Sequence, residues 1–471
     1  MSELAGLFGA IFGGILNIAR QLVMSVYVIL WGVWNFLTLL WAGGKALFGP
    51  GMLKDRLIAT LARPEHMRAI LAVLRTFIPT IVVNKRFVMA YDNSATAFVT
   101  AYEDVLEVMN LDQVFQTTYA PKMALLTEGN NFFLGMQEGP DYINNVSNMR
   151  LAANRNDIDE IITPFISAEI ASVLAVAQGK LDVPRTLTKP VLARLVGHYF
   201  GTPGPSEDVL IDWTHTMFHY IFFDFSDEAE IVAAAQTASA GCRVYLDQAI
   251  AARQKNGEMR DDVLGRCLKL QTAEMPGMDN LGIRNNFLGM ITAMLPTISN
   301  ATTRVLDQLL ARPDVLAGAQ AAARSGDDEL LSRYIVEAFR FNPMNPVIFR
   351  RAAEDHTLAA GTLRQREIPK GCFVFAANLS AMFDPWVIPS PGRFDLSRSP
   401  DQYILWGGGI HKCFGEQISR TVMPVFLKEI LKLPNLKRAS GPAGQMDNAG
   451  TPFPQHLTIT FEGSGDEKSC T

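Results

Sequence analysis

The hydrophobic positions of this chain fall into two regimes, one continuous and one periodic. Residues 22–42 (LVMSVYVILWGVWNFLTLLWA) carry no charge and are almost wholly apolar. About 20 such residues span the hydrocarbon core of a bilayer as a helix. The run has no polar face, which argues against a buried core helix, and lacks the basic leader of a cleaved signal peptide. Trp41, near its end, suits an interfacial aromatic belt. Lys45, Lys54 and Arg56 follow the run, against Glu3 before it, so the positive-inside tendency places the bulk of the chain in the cytoplasm. The expectation is a single-pass membrane anchor over 1–45 and one large domain over 46–471. Residues 4–19 are apolar, Gly-rich and closed by Arg20. They extend the span, lie in the interface or form a re-entrant turn, and the pattern leaves these three open.

Beyond about residue 50 the apolar residues recur at three- and four-residue spacing. This predicts helices over 155–178, 206–223, 227–254, 282–310 and 328–340. Pro205-Ser206 reads as a helix opening and Asn256-Gly257 as a closing. Short β-like runs occur at 347–349, 372–376 and 457–461, and the Pro-, Gly- and Asp-rich stretch 341–410 reads as ordered coil with small strands. No internal repeat or low-complexity tract interrupts the pattern. The predicted fold class is mainly α with small β-sheets.

Composition narrows the chemistry. With 48% hydrophobic residues the 471-residue chain can bury a sizeable core. A net charge of −5, with no long run of Lys and Arg, gives a nucleic-acid partner no electrostatic support. The five cysteines are scattered and form no C-x-x-C pair, which argues against a disulfide framework or a zinc site and fits a reducing compartment. His215 and His219 share a helix face, but nothing suggests a third ligand. A metal centre here would belong to a cofactor.

The candidate chemistry lies at Trp406–Gly415, W-G-G-G-I-H-K-C-F-G, just ahead of a helical run from Glu416 to Leu433. A thiolate that ligates iron is stabilised by backbone N–H groups and a positive helix end, both available to Cys413. Gly407 and Gly409 let the backbone approach a flat macrocycle without a Cβ clash. His411, if protonated, suits an anionic propionate. Taken alone, the segment also fits a Gly-rich turn with a buried structural cysteine.

At each constrained position this segment resembles the haem-binding signature of cytochromes P-450, with Trp406 for the usual Phe. Further elements follow in register. Glu337-Ala-Phe-Arg340 looks like the family's E-x-x-R pair on one helix face. Pro391-Gly-Arg-Phe394 resembles its P-E-R-F element, with Gly392 where Glu is usual, so that Arg393 would complete a buried Glu-Arg-Arg network. Arg350-Arg-Ala-Ala-Glu-Asp355, with Ile368-Pro-Lys-Gly371 after it, resembles the following strand region, and Arg350 would meet a propionate. Looser likenesses upstream, at Val196–Pro205 and Asp261–Leu264, extend the resemblance over roughly residues 50–462.

The resemblance implies the cytochrome P-450 fold and a haem b (iron protoporphyrin IX) held by Cys413. It implies a monooxygenase that uses O2 on a lipophilic substrate, such as a fatty acid, terpenoid, steroid or aromatic. Electrons would come from a separate ferredoxin or flavoprotein reductase, since the chain has no flavin or iron–sulfur module. Lys412, Arg420, Lys428 and Lys432 offer such a partner a basic face, or are an ordinary solvated helix face. The aromatic run Trp213–Phe223 would roof the substrate site or simply pack the core.

Two departures qualify the match. Relatives carry A-G-x-(Asp or Glu)-Thr on the long central helix, whereas this chain has Ala293-Met-Leu-Pro-Thr297. Thr297 remains the candidate catalytic hydroxyl, helped by Ser299 or Asn300, but Pro296 replaces the acid and is expected to kink the helix. A peroxide-using peroxygenase or hydroperoxide isomerase therefore stands beside the monooxygenase reading, and a non-catalytic haem sensor is the rival from another class. Second, Tyr142 and Val146 stand where relatives show His and Arg, with Arg150 one turn further on. Tyr142 and Arg150 are either propionate partners or surface residues.

Overall fold

The computed structural model describes residues 2–48, 52–61, 63–258 and 260–462, with side chains described from residue 19 onward; Cys470 lies outside the described residues. A 31-residue helix, Asn280–Leu310, forms the centre of the molecule. It is buried on nearly every face, polar side chains such as Asn285, Asn286 and Asn300 included. Asp279 caps its start by accepting from the Gly282 N–H at 2.7 Å. The helices Glu207–Phe222, Ala229–Asn256, Asp328–Phe341 and Glu416–Lys432 pack around it. Ser206 is the N-cap residue of the first of these, and Gly257, with φ of 62°, ends the second in a left-handed cap. The segment 155–178 differs from its prediction, because a π-turn at Ile158–Ile162 precedes the helix Thr163–Val176.

The strands among the described residues form three small sheets. The main sheet has five strands in the order Thr80–Val83, Ala95–Val99, Cys372–Ala376, Ile348–Ala352, Phe115–Gln116. Its one parallel pairing joins Ala95–Val99 to Cys372–Ala376, and Arg350 sits opposite Val374 in the neighbouring antiparallel pair. A second sheet pairs Thr458–Thr460 with both Lys180–Asp182 and Lys437–Arg438. The first two strands of the main sheet were not foreseen, since each is only four or five residues long.

The N-terminal helix runs over Ser2–Ala46, so residues 4–19 continue the apolar run as one helix. Within it Ala19–Ala46, 28 residues with mean hydropathy 1.8, is long and apolar enough to cross a membrane. This helix also packs on the helix Pro64–Phe77. Gly32 permits the contact, because a Cβ there would lie 2.6 Å from Thr76 Cγ2.

Candidate functional site

The cysteine loop is a tight closure built from its glycines. The Cys413 N–H donates to the Trp406 carbonyl at 2.9 Å, folding the loop back on itself ahead of the helix Glu416–Lys432. Gly407 and Gly409 take φ of 74° and 67°, which side chains with a Cβ rarely adopt. The need at Gly409 differs from the one the sequence suggests. A Cβ there would fall 2.3 Å from the Met109 carbonyl oxygen, so the glycine admits the end of the helix Tyr102–Asn110 rather than a macrocycle. The Arg420 guanidinium lies 4.2 Å over the Trp406 ring and fixes the aromatic wall of the loop.

Cys413 keeps exposed surface, unlike the other three described cysteines. Burial raises its thiol pKa, while the Gly415 N–H and Lys412 pull it back and Glu416 raises it further. The metal-free cysteine is therefore a thiol, and a bound metal would be needed to hold it as a thiolate. Cys242, Cys267 and Cys372 are buried, with thiols pushed up to about 12, as structural cysteines are.

A group of polar side chains gathers beside this loop. Arg350 is buried, yet its guanidinium reaches only the Phe349 carbonyl, at 3.1 Å, and its Nε has no partner among the described residues. A buried guanidinium without a carboxylate is unfavourable unless an anion completes it. Tyr142 is buried, donates its hydroxyl to the Ile410 carbonyl at 2.6 Å and sets its ring edge against His411, with ring centroids 4.6 Å apart. Arg150 is exposed and stacks over Phe414 at 5.9 Å. Asp112, which sequence reasoning missed, accepts from the Ile410 N–H at 3.1 Å. Burial, together with the charge of Arg350, lowers the His411 pKa to about 4, so the imidazole is neutral in the haem-free chain.

These residues fit the haem that the resemblance implies. Cys413 would offer a soft ligand, and the unpaired Arg350 Nε would offer a donor to a propionate.

Behind the loop, Glu337 collects a dense set of donors. Arg340 forks onto it, Nε to Oε2 at 2.9 Å and Nη2 to Oε1 at 2.7 Å. The second cation is Arg398, whose Nη1 meets Glu337 Oε1 at 2.7 Å, and not Arg393 as the motif suggests. Arg393 contributes its carbonyl, which accepts from Arg340 at 3.2 Å and from Arg398 at 2.9 Å. The Asp395 N–H and the Tyr403 hydroxyl also donate to Glu337. Arg398 lies only five residues past Arg393, so the segment carried the signal, but spacing alone could not say which arginine turns inward.

On the central helix, Pro296 is accommodated without a break. Lacking an N–H, it leaves the Thr292 carbonyl without its helical donor. The Thr297 hydroxyl donates to the Ala293 carbonyl at 2.6 Å. Ser299 shares a hydrogen bond with the Thr188 hydroxyl at 2.6 Å. Asn300 accepts from Arg304 at 2.5 Å, while its Nδ2 is buried without a partner among the described residues. Between Asn280 and Leu310 the only carboxylate is Asp307, and it is paired with Arg438 at 2.8 Å.

The aromatic roof packs inward. Phe218 stacks on Phe222 at 4.3 Å, Phe222 meets Tyr119 at 5.2 Å, and Tyr119 meets Phe349 at 5.1 Å, next to Arg350. Lys122 fastens this roof by donating to the carbonyls of Tyr220 and Asp224, each at 2.5 Å. His215 is tied to the Ile211 carbonyl at 2.8 Å, and no metal-binding cluster of His, Cys, Asp or Glu occurs among the described residues. The basic face is locally neutralised: Lys412 and Arg420 pair with Glu416, Lys428 with Asp328, and Lys432 with Glu429.

The sequence profile of the family described as Cytochrome P450 matches residues 212–440. The cyclomarin C epoxidase CymV of Salinispora arenicola is 24% identical over 298 residues, covering 63% of this chain and 71% of that protein. The cytochrome P450 monooxygenase PikC of Streptomyces venezuelae is 26% identical over 292 residues, covering 60% of this chain and 62% of its own length. Among solved structures, P450BioI in complex with hexadec-9Z-enoic acid ligated acyl carrier protein superposes with a TM-score of 0.70 at 18% identity, covering 85% of this chain and 98% of that one.

Proposed function

We propose that this chain, which belongs to the cytochrome P450 family and is an oxidoreductase of its monooxygenase class, oxidises an apolar small molecule at a haem held by Cys413. The observation that carries the reading is the Cys413 loop, closed by the Cys413 N–H on the Trp406 carbonyl and leaving the cysteine accessible just ahead of the helix Glu416–Lys432. When bound, a thiolate-ligated haem supplies the oxidising chemistry, its sulfur donating electron density that favours O–O cleavage.

The chain's own residues hold, orient and exclude. Arg350 and His411 would take the propionates as a charged donor and a neutral N–H donor. Glu337, bound by Arg340 and Arg398, fixes the segment between the helix Asp328–Phe341 and the cysteine loop. The aromatic roof from Phe218 to Phe349 excludes water and favours a bulky apolar substrate. A fatty acyl, terpenoid, steroid or aromatic compound meets that description. Electrons would arrive from a separate ferredoxin or flavoprotein. The ion-paired face around Glu416 gives such a partner little net charge, so docking there would rest on shape more than on steering. The N-terminal helix would keep the enzyme at a membrane with its larger part in the cytoplasm.

One observation favours a second reading. Pro296 occupies the place of the proton-relaying acid, and the remaining hydroxyl, Thr297, donates into its own helix. A peroxygenase or hydroperoxide isomerase needs no such relay. Turnover of a panel of apolar substrates with reductase, NAD(P)H and O2, set against peroxide alone, tests the choice. Faster product formation with the reductase supports the monooxygenase; faster formation with peroxide supports the rival. No turnover under either condition, with ligand-dependent association with a second protein, would favour a haem sensor.

A further inference from the structure

The N-terminal helix has two apolar faces with different partners. Val28, Gly32, Asn35, Leu39, Ala42 and Ala46 recur at alternating four- and three-residue steps and form a buried or half-buried seam. Small residues at three of these positions let the helix Pro64–Phe77 approach closely. The Trp31 ring lies on the domain at Gly392, where a Cβ would come within 2.9 Å of it. The glycine that departs from the family's P-E-R-F element thus makes room for the N-terminal helix. Domain and helix are fitted to each other.

The opposite face is large, apolar and uncovered. Val23, Leu30 and Leu37, seven residues apart, are 69%, 63% and 53% exposed, and Trp34 and Trp41 are exposed as well. Three polar side chains of the helix are satisfied within the helix itself. Ser25, Asn35 and Thr38 each donate to the carbonyl four residues back, at 2.9, 2.7 and 2.9 Å. Such self-satisfied groups suit a hydrocarbon environment, where no water is available. Lys45 rests over the Trp41 ring at 3.5 Å, a pairing suited to the membrane–water boundary.

The supporting helix cannot follow the N-terminal helix into a bilayer. Arg75 donates to the Ser380 carbonyl at 2.7 Å and to its hydroxyl at 2.8 Å, and Arg68 donates to the Phe341 carbonyl at 2.6 Å. These bonds fasten Pro64–Phe77 to the domain core. An upright span would draw both arginines and the Gly392 loop towards hydrocarbon, which is strongly unfavourable for charged groups. We infer that the N-terminal helix lies along the membrane surface, seam against the domain and outer face in one leaflet, instead of crossing the bilayer as its length suggests.

This inference rests on the membrane reading above, and depth measurement separates the two. Nitroxide labels are placed at Val23→Cys, Leu30→Cys and Leu37→Cys in the full-length, haem-loaded protein carrying Cys470→Ser, bound to phosphatidylcholine vesicles. Depth is read from relaxation by oxygen against a water-soluble nickel complex, and an unchanged haem spectrum checks folding. At about 1.5 Å rise per residue, an upright helix moves each successive label by roughly 10 Å. The expected result is three similar, shallow depths. Depths that step by about 10 Å overturn the in-plane placement and leave membrane attachment standing. Labels that remain in water throughout overturn both.

Discussion

Arg398 Nη1 donates to Glu337 Oε1 at 2.7 Å, and through this bond the segment before the cysteine loop is tied to the helix Asp328–Phe341. The Arg398 side chain is 5% exposed where that of Arg340 is fully enclosed, and both point at one carboxylate that also accepts from Tyr403 and Asp395. Removing one partner of a buried ion pair leaves an uncompensated charge and is destabilising by about 3–5 kcal/mol. Arg398→Ala is expected to lose stability on that scale in thermal or denaturant unfolding. Arg393→Ala keeps the carbonyl that the network uses and is expected to stay within about 1 kcal/mol of the parent. The reverse order would return the role of second cation to Arg393.

Arg350 makes a sharper prediction about the haem. Its guanidinium is buried with no carboxylate within ion-pair distance among the described residues, Asp112 acting on it only from further off. Arg350→Met is expected to leave the haem-free chain at least as stable as the parent, because it deletes an unpaired buried charge. Haem retention should fall on the order of 10- to 100-fold, the worth of one charged hydrogen bond of about 1.5–3 kcal/mol. Haem transfer to an excess of apomyoglobin measures this. Equal retention in both proteins would remove Arg350 from the site.

These two cases show what was legible in the sequence and what was not. Helix positions such as Glu207–Phe222 and Asn280–Leu310 were readable because burial imposes a period on them. Cys413, Glu337 and Arg340 were readable because a loop or one helical turn fixes their spacing. Arg398, Tyr403 and Asp112 were not, because they reach the site from coil or from a distant helix end, where no periodicity says which side chain turns inward. The strands Thr80–Val83 and Ala95–Val99 were missed because they are short and their stability comes from pairing, ultimately with Cys372–Ala376 far along the chain. Gly392 was visible as a departure, but its meaning needed Trp31.

Thr297 divides the two catalytic readings. Thr297→Val removes the hydroxyl that now donates to the Ala293 carbonyl. If Thr297 hands protons to the reaction, reductase-driven turnover should fall by about 100-fold, the lower range for a positioned proton donor. Peroxide-driven turnover should stay near the parent rate. Parallel loss of both activities would mean that Thr297 shapes the pocket instead.

Lys189 gives a pH dependence of stability. It is buried, donates to Gln455 at 2.5 Å, and has no carboxylate within ion-pair distance among the described residues. Desolvation lowers its pKa to about 8, with Asp182 partly opposing the shift. Between that value and the ordinary lysine value near 10.5 the unfolded chain holds more protons, so this residue's contribution to stability rises with pH across the window. Lys189→Met is expected to raise Tm at pH 7 by more than it does at pH 10. A gain that does not change with pH would show that Lys189 is not desolvated in the folded chain.

The account stands on sulfur from Cys413 being the axial ligand. The absorption spectrum of the reduced, carbon-monoxide-bound protein tests this most directly, because thiolate ligation moves the Soret band to much longer wavelength than nitrogen ligation does. The expected result is the red-shifted thiolate band in the parent and its loss in Cys413→His. A parent spectrum of the nitrogen-ligated type, or a thiolate band that persists in Cys413→His, would contradict it.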